Sequence, residues 1–219
     1  MFRPTIIVSG LTAAGKTTHA KALAELLDVP FFSASALLRQ LAINDPDMVA
    51  EWGDRWSPHV DSVRNVVDID TEVDRQMTAL VAAAPCGVFD AALLPWLSSD
   101  EAIINLWIES DEPSRIRKCY VSHLDNAGLS LDDARKVVQE KDAFTGRVLA
   151  GRHGAVLTAD DRFDIVATNS DLIPDASVAA AAIGSAILSP VILASVLYLI
   201  GHSIVEPTDT RLLRIRSRP

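Results

Sequence analysis

The sequence predicts an α/β fold, a three-layer α/β/α arrangement around a five-stranded parallel sheet, and three observations predict it. Short apolar runs alternate with longer stretches of helical spacing along most of the 219 residues. The first run, TIIVS, leads straight into the octapeptide Gly10–Thr17, GLTAAGKT, and a segment of helical spacing starts at its lysine. The strands themselves read as nearly continuous hydrophobic runs, the pattern of a parallel sheet covered by helices on both faces. In such a sheet a ligand lies at the carboxyl ends of the strands.

Taken in order, Thr5–Ser9 is the first strand and Gly10–Thr17 has the pattern of a Walker A loop. Glycine is needed at Gly10 and Gly15 because the backbone folds round the phosphates with its N–H groups inward, which a Cβ would hinder. The residues expected to hold the nucleotide are Gly10, Ala13, Ala14, Gly15, Lys16, Thr17 and Thr18. Lys16 reaches the β and γ phosphates, Thr17 offers its hydroxyl to Mg²⁺, and the helix N-terminus adds positive potential. The helix Lys16–Leu27 buries Ala20, Leu23, Ala24 and Leu27. Val29–Ser33 is the next strand and Ser35–Ile43 the next helix, while Asn44–Asn65, rich in Asp, Trp, Pro and Gly, reads as an irregular segment over a cleft. A helix over Asp70–Ala84 precedes the strand Gly87–Asp90, which ends in an acid. Ile103–Glu109 is the fourth strand, followed by a helix over Glu112–His123 opened by Pro113 and another over Leu131–Leu149. Phe163–Thr168 is the fifth strand.

Length allows one domain with a full core. A formal charge of −9 argues against a nucleic-acid binder, although basic residues cluster at Arg115, Arg117 and Lys118 and at Arg211, Arg214, Arg216 and Arg218. Cys86 and Cys119 are far apart and neither has a CxxC partner, so no zinc site or disulfide framework is expected and a reduced cytoplasm fits. The apolar run after Arg3 and Pro4 is too short for a secretory signal. His19, His59, His123, His153 and His202 are scattered, and each reads as a packing or surface residue.

From Ala176 to Val205 no Asp, Glu, Lys or Arg occurs. The run is long enough for a membrane span. Ser189-Pro190 should break or kink it, however, and a single crossing would put either the domain before it or the arginine-rich tail after it on the wrong side. The expectation is a domain over 1–188, then an apolar helix and basic tail over 189–219. That helix would pack on the domain or on a second subunit, as a homodimer, in preference to a membrane contact.

The order of the segments FFSASALLRQLA, VDRQ, FDAALLPWL, SRIRK and FDIVATNSD resembles the cytidylate kinase-like group of P-loop nucleoside monophosphate kinases, from Phe2 to about Leu188. The resemblance implies a P-loop NTPase core, an acceptor-binding flap (about 44–65) and a lid (about 112–150). It implies ATP and Mg²⁺ as cofactors. Carried over by position, Ser35 and Arg39 fall at an acceptor-site loop and an acceptor-phosphate arginine, and Asp74 and Arg75 face the same site. Asp90 would join Thr17 in holding Mg²⁺. Arg115 corresponds to the lid arginine, with Lys118 and Arg147 as further cations, and Asn169 and Ser170 lie near the adenine-side loop. Lys141 and Asp142 read as structural.

One position departs from the pattern. Where the family reads roughly EGRLAGWL, this chain reads DAALLPWL, so Ala92 stands in place of an acceptor-phosphate arginine and Pro95 in place of the second glycine. A bidentate guanidinium contact is worth more than an ordinary hydrogen bond, so its loss bears on the acceptor and not on ATP. The leading expectation is a kinase acting on a nucleoside monophosphate, CMP-like, or a close relative. The alternative is a kinase of a small-molecule hydroxyl, for which His59 or Asp61 could act as base and Trp52 or Trp56 stack on a ring. A nucleotide-binding regulatory or membrane-associated module is the third reading.

Overall fold

The computed structural model describes residues 4–43, 69–123, 129–201 and 211–216. The expected flap over 44–65, with Trp52, Trp56, His59 and Asp61, lies outside the described residues, as do His202 and Arg218. In chain order the described elements are β1 (Thr5–Gly10), α1 (Lys16–Leu27), β2 (Phe31–Ser33), α2 (Ala34–Ile43), α3 (Ile69–Ala83), β3 (Gly87–Asp90), β4 (Ile104–Glu109), α4 (Glu112–Ser122), α5 (Leu131–His153), β5 (Ile165–Thr168), α6 (Val178–Leu199) and β6 (Leu213–Ile215). They form an α/β fold whose sheet runs β2-β3-β1-β4-β5-β6.

Alternation along β1 builds the two layers of core. Ile6 and Val8 point to one face and join Leu23 and Ala24 of α1 with Leu188, Ile192 and Val196 of α6. Ile7 points the other way and joins Phe89, with Val73 and Met77 of α3. Because β1 is central and both faces are covered, all of Ile6, Ile7 and Val8 are fully buried. The order also places β3 beside β1 in parallel, with Val8 opposite Asp90, so the acid at the end of β3 comes level with the start of the glycine-rich loop.

Two features differ from the expected fold. The sheet has six strands, five parallel and one antiparallel, because Leu213–Ile215 of the tail pairs with β5. Leu213 enters the core, whereas Arg214 points out toward Glu109 at 3.7 Å. The basic tail is therefore partly an edge strand, and its charged side chains occupy the outward positions that blunt such an edge. The second difference is at Pro190, which does not break the helix: α6 runs continuously through it, across the expected boundary at 188. Pro190 sits on the exposed side, and Ala180, Gly184, Leu188, Ile192, Ser195 and Val196 form the buried stripe. Gly184 is needed there, since a Cβ would come within 2.9 Å of Leu172 O. By length and composition α6 could cross a membrane; in this fold its stripe is part of the main core.

Candidate functional site

The loop after β1 turns back on itself through three residues at positive φ: Gly10 at 146°, Ala13 at 57° and Gly15 at 100°. A Cβ on Gly10 would lie 2.6 Å from Ile108 O, so the first glycine is required by the neighbouring strand β4 as well as by its own dihedral. Ala13 is the strained member, a non-glycine residue in the left-handed region. Lys16 folds over the loop and its Nζ donates to Leu11 O at 2.7 Å. Burial lowers the Lys16 pKa, Asp90 and Asp142 oppose that shift, and Arg115 adds to it.

Thr17 and Asp90 meet across the β1–β3 boundary. Thr17 Oγ1 donates to Asp90 Oδ2 at 2.5 Å, and Asp90 is otherwise buried. A hydroxyl and a carboxylate are hard oxygen donors, the kind that Mg²⁺ takes. Among the described residues no three His, Cys, Asp or Glu side chains group as metal ligands. Ser9 Oγ donates to Ala92 O at 2.7 Å and Ala91 N to Val8 O at 3.2 Å, so the segment after Asp90 is stitched to β1 by its backbone.

A cleft of about 350 Å³ opens from this floor. Gly10, Thr12, Ala13, Lys16, Thr17 and Asp90 line one end of it. Ser35, Leu38 and Arg39 from α2 and Asp70, Val73, Asp74 and Met77 from α3 line the opposite wall, with Ala92 between. Lys141, Asp142, Phe144, Thr145 and Val148 of α5 close over it. Arg152 of α5 and Asp74 of α3 approach to 3.6 Å, an ion pair that ties the two walls together.

Several residues sit elsewhere than expected. Arg75 is bound to Glu72 at 2.6 Å on the exposed side of α3 and is not part of the cleft wall; helical geometry turns it about 100° from Asp74. Arg147 is exposed on α5 and Thr18 on α1, and neither lines the cleft. Arg115 is not held out on a lid but is buried. Its Nε donates to Ser110 O and its Nη1 to Thr12 O, both at 3.2 Å, and Nη1 pairs with Asp142 Oδ2 at 2.5 Å. Asp142 Oδ1 accepts from Thr12 N at 2.8 Å, so carboxylate and guanidinium together grip both backbone polar groups of Thr12. Lys118 lies behind the loop, its Nζ donating to Ala14 O, Ser110 Oγ and Asn169 Oδ1, each at 2.9 Å. Asn169 is buried and donates its Nδ2 to the same Ala14 O at 2.9 Å, which places it under the loop.

Lys141 and Asp142, expected to be structural only, both line the cleft. The signal for them was present in the sequence: Lys141, Asp142, Thr145 and Val148 follow three-and-four spacing along one face of a helix. What the sequence lacks is any mark that this face meets the glycine-rich loop, because Asp142 and Thr12 are 130 positions apart.

No protein-family model matches the chain. Over 139 residues it is 30% identical to a protein named cytidylate kinase from Desulfurococcus amylolyticus, a match that spans 62% of this chain and 68% of that one. Over 170 residues it is 24% identical to a cytidylate kinase from Sulfurisphaera tokodaii, covering 78% and 88% respectively. Among solved structures, the shikimate kinase of Bacteroides thetaiotaomicron superimposes with a TM-score of 0.55 at 11% identity, over 90% of this chain and 98% of that one. The structural likeness extends over nearly the whole fold.

Proposed function

The chain belongs to the cytidylate kinase family, and from that premise we propose that it transfers the γ-phosphoryl group of ATP to a nucleoside monophosphate, CMP-like, or a close relative bound between α2 and α3. One observation carries the reading: a single cleft joins the glycine-rich loop, Lys16 and the Thr17–Asp90 pair to an acceptor-sized wall carrying Ser35 and Arg39. Phosphoryl transfer passes through a loose transition state with charge spread over the moving group, so the protein's work is to position and to neutralise. The loop amides and the Lys16 ammonium would hold the donor phosphates. Thr17 and Asp90 would hold Mg²⁺, which supplies Lewis-acid neutralisation when bound. Arg39 would meet the acceptor phosphate as a charge-assisted donor, and Lys141 would bring a cation from α5. Leu38, Val73 and Met77 offer an apolar bed for the body of the acceptor, while Phe144 and Val148 cover the cleft and exclude the water that would otherwise hydrolyse ATP.

A second reading has its own observation. Ala92 lines the cleft with a methyl group where the family pattern carries a guanidinium, and Asp70 and Asp74 face the same space. Carboxylates suit an acceptor that presents a hydroxyl, whose proton one of them could accept. Release of ADP measured against a panel of nucleoside monophosphates and a panel of nucleosides, sugars and other polyols separates the two. Fastest turnover with CMP or another monophosphate is expected. Fastest turnover with an acceptor that has no phosphate would replace the first reading by the second, and no ADP release with either panel would overturn both.

A further inference from the structure

The back of the glycine-rich loop carries polar machinery of which only Asp142 also lines the cleft. Residue 13 is held in the left-handed region at φ 57° although it is alanine, a conformation that costs about 1 kcal/mol and persists only when its surroundings impose it. The residues on either side are the ones gripped from behind: Thr12 by Arg115 and Asp142, Ala14 by Lys118 and Asn169. The carbonyl of Ala14 receives two donors at 2.9 Å, and this fixes the orientation of the Ala14–Gly15 peptide unit directly before Lys16. Lys118 spends its other two protons on Ser110 Oγ and Asn169 Oδ1, so all three donors are committed.

We propose that Lys118 is a positioning residue for nucleotide binding, which acts through the Ala14 carbonyl to hold the loop in its anion-binding shape and which couples binding to uptake of a proton. This rests on the reading of Gly10–Thr17 as the nucleotide loop. The charges facing Lys118 come from each element packed around it. Lys16 and the buried His19 lie on α1, Arg115 and Arg117 on α4, Asp111 at the α4 N-terminus, and Asp142 on α5 is engaged by Arg115. Burial first, then Arg115, Lys16 and Arg117, pull its pKa down to about 7, against Asp111 alone. A polyphosphate placed in the loop reverses that balance by adding negative charge on the far side of Ala14. The ammonium form is then favoured, and nucleotide affinity falls as pH rises above 7, by up to about tenfold per pH unit until the bound-state pKa is reached.

The test is ADP binding by isothermal titration calorimetry at pH 8 in buffers of different ionisation enthalpy, with wild type, Lys118→Met and Lys118→Arg. ADP's terminal phosphate, with a second pKa of about 6, is already ionised at pH 8 and contributes nothing to proton exchange. Wild type is expected to take up a substantial fraction of a proton. Lys118→Met should lose that uptake and bind roughly tenfold more weakly, the cost of one charge-assisted bond, while Lys118→Arg recovers affinity without the proton uptake. Uptake unchanged in Lys118→Met, or wild-type affinity that is flat from pH 7 to 9, overturns the proposal while nucleotide binding stands. The pH series needs only the wild-type protein, so a variant that fails to fold does not remove the test. If the wild type binds no ADP, the nucleotide reading falls and the proposal with it.

Discussion

Replacement of Asp142 by alanine tests whether α5 is fastened to the glycine-rich loop as the geometry indicates. The substitution removes a 2.5 Å ion pair and the acceptor of the Thr12 N–H at 2.8 Å, and it leaves the Arg115 guanidinium, only 7% exposed, facing the space. Breaking a buried pair by deleting one partner costs about 3–5 kcal/mol. Arg115 keeps Ser110 O and Thr12 O as acceptors and the Asp142 side is 18% open, so the lower end, about 3 kcal/mol, applies here. At this chain length that is a fall in Tm of about 9 °C. The double replacement Arg115→Met with Asp142→Leu removes both charges and should cost about 1 kcal/mol or less, about 2 kcal/mol less than Asp142→Ala alone. Arg135→Ala, which breaks an exposed pair with Asp132 on the same helix, is the control and should stay within about 0.5 kcal/mol. Urea denaturation followed by circular dichroism measures all four proteins. If Asp142→Ala costs no more than Arg135→Ala, or if the double variant is as unstable as the single, the clamp on Thr12 contributes nothing and the reasoning fails.

Two further outcomes follow from buried and helical positions. His19 is 2% exposed against Ser189 Oγ, and burial first, with Lys118 second, lowers its pKa to about 4. The folded state thus prefers the neutral ring, so its contribution is complete above the unfolded pKa and is lost as pH falls from 6.5 toward 4, about 3 kcal/mol in all. Thermal melts of wild type should fall across that window and those of His19→Gln should fall less; parallel curves would exclude this histidine as the cause. Pro190 lies exposed inside α6, where proline costs about 3 kcal/mol relative to alanine and returns about 1 kcal/mol by stiffening the unfolded chain, so Pro190→Ala should stabilise by about 2 kcal/mol. A lower Tm for Pro190→Ala would mean that the helix uses the proline for packing.

The donor half of the site was legible because its signal is local. Glycine spacing, the adjacent lysine and threonine, and an apolar strand before them lie within thirteen residues, and the structure keeps the strand, the turn and the helix at those positions. The five parallel strands were legible for the same reason: each is a short apolar run with its own boundary signals. β6 was not, because three residues of alternation among arginines do not stand out from a solvated tail. The continuity of α6 was hidden by Pro190, whose cost is met by the core contacts of Leu188, Ile192 and Val196 on either side of it. The roles of Arg115, Asp142 and Lys118 depend on partners 27, 103, 104 and 130 positions away, and no pattern along the chain encodes such a distance.

The two halves of the cleft are built on different kinds of support, and that bears on why a departure such as Ala92 can be tolerated. On the donor side the side chains that matter are tied to backbone: Asp142 and Arg115 to Thr12, Lys118 and Asn169 to Ala14. Change one and the loop itself loses a constraint. Between the halves, the segment after Asp90 is fixed by its own main chain, through Ala91 N to Val8 O and Ser9 Oγ to Ala92 O, whatever side chain residue 92 carries. Its side chain can therefore be exchanged without moving the floor of the site. Across from it, Arg39 and Asp70 project from the faces of α2 and α3, where packing is carried by other positions such as Leu37, Leu41 and Leu80. On the proposed reading, acceptor recognition is thus free to drift on a fixed frame while the glycine-rich loop is not, and an alanine at 92 would change what the cleft can grip without changing how it would hold the donor.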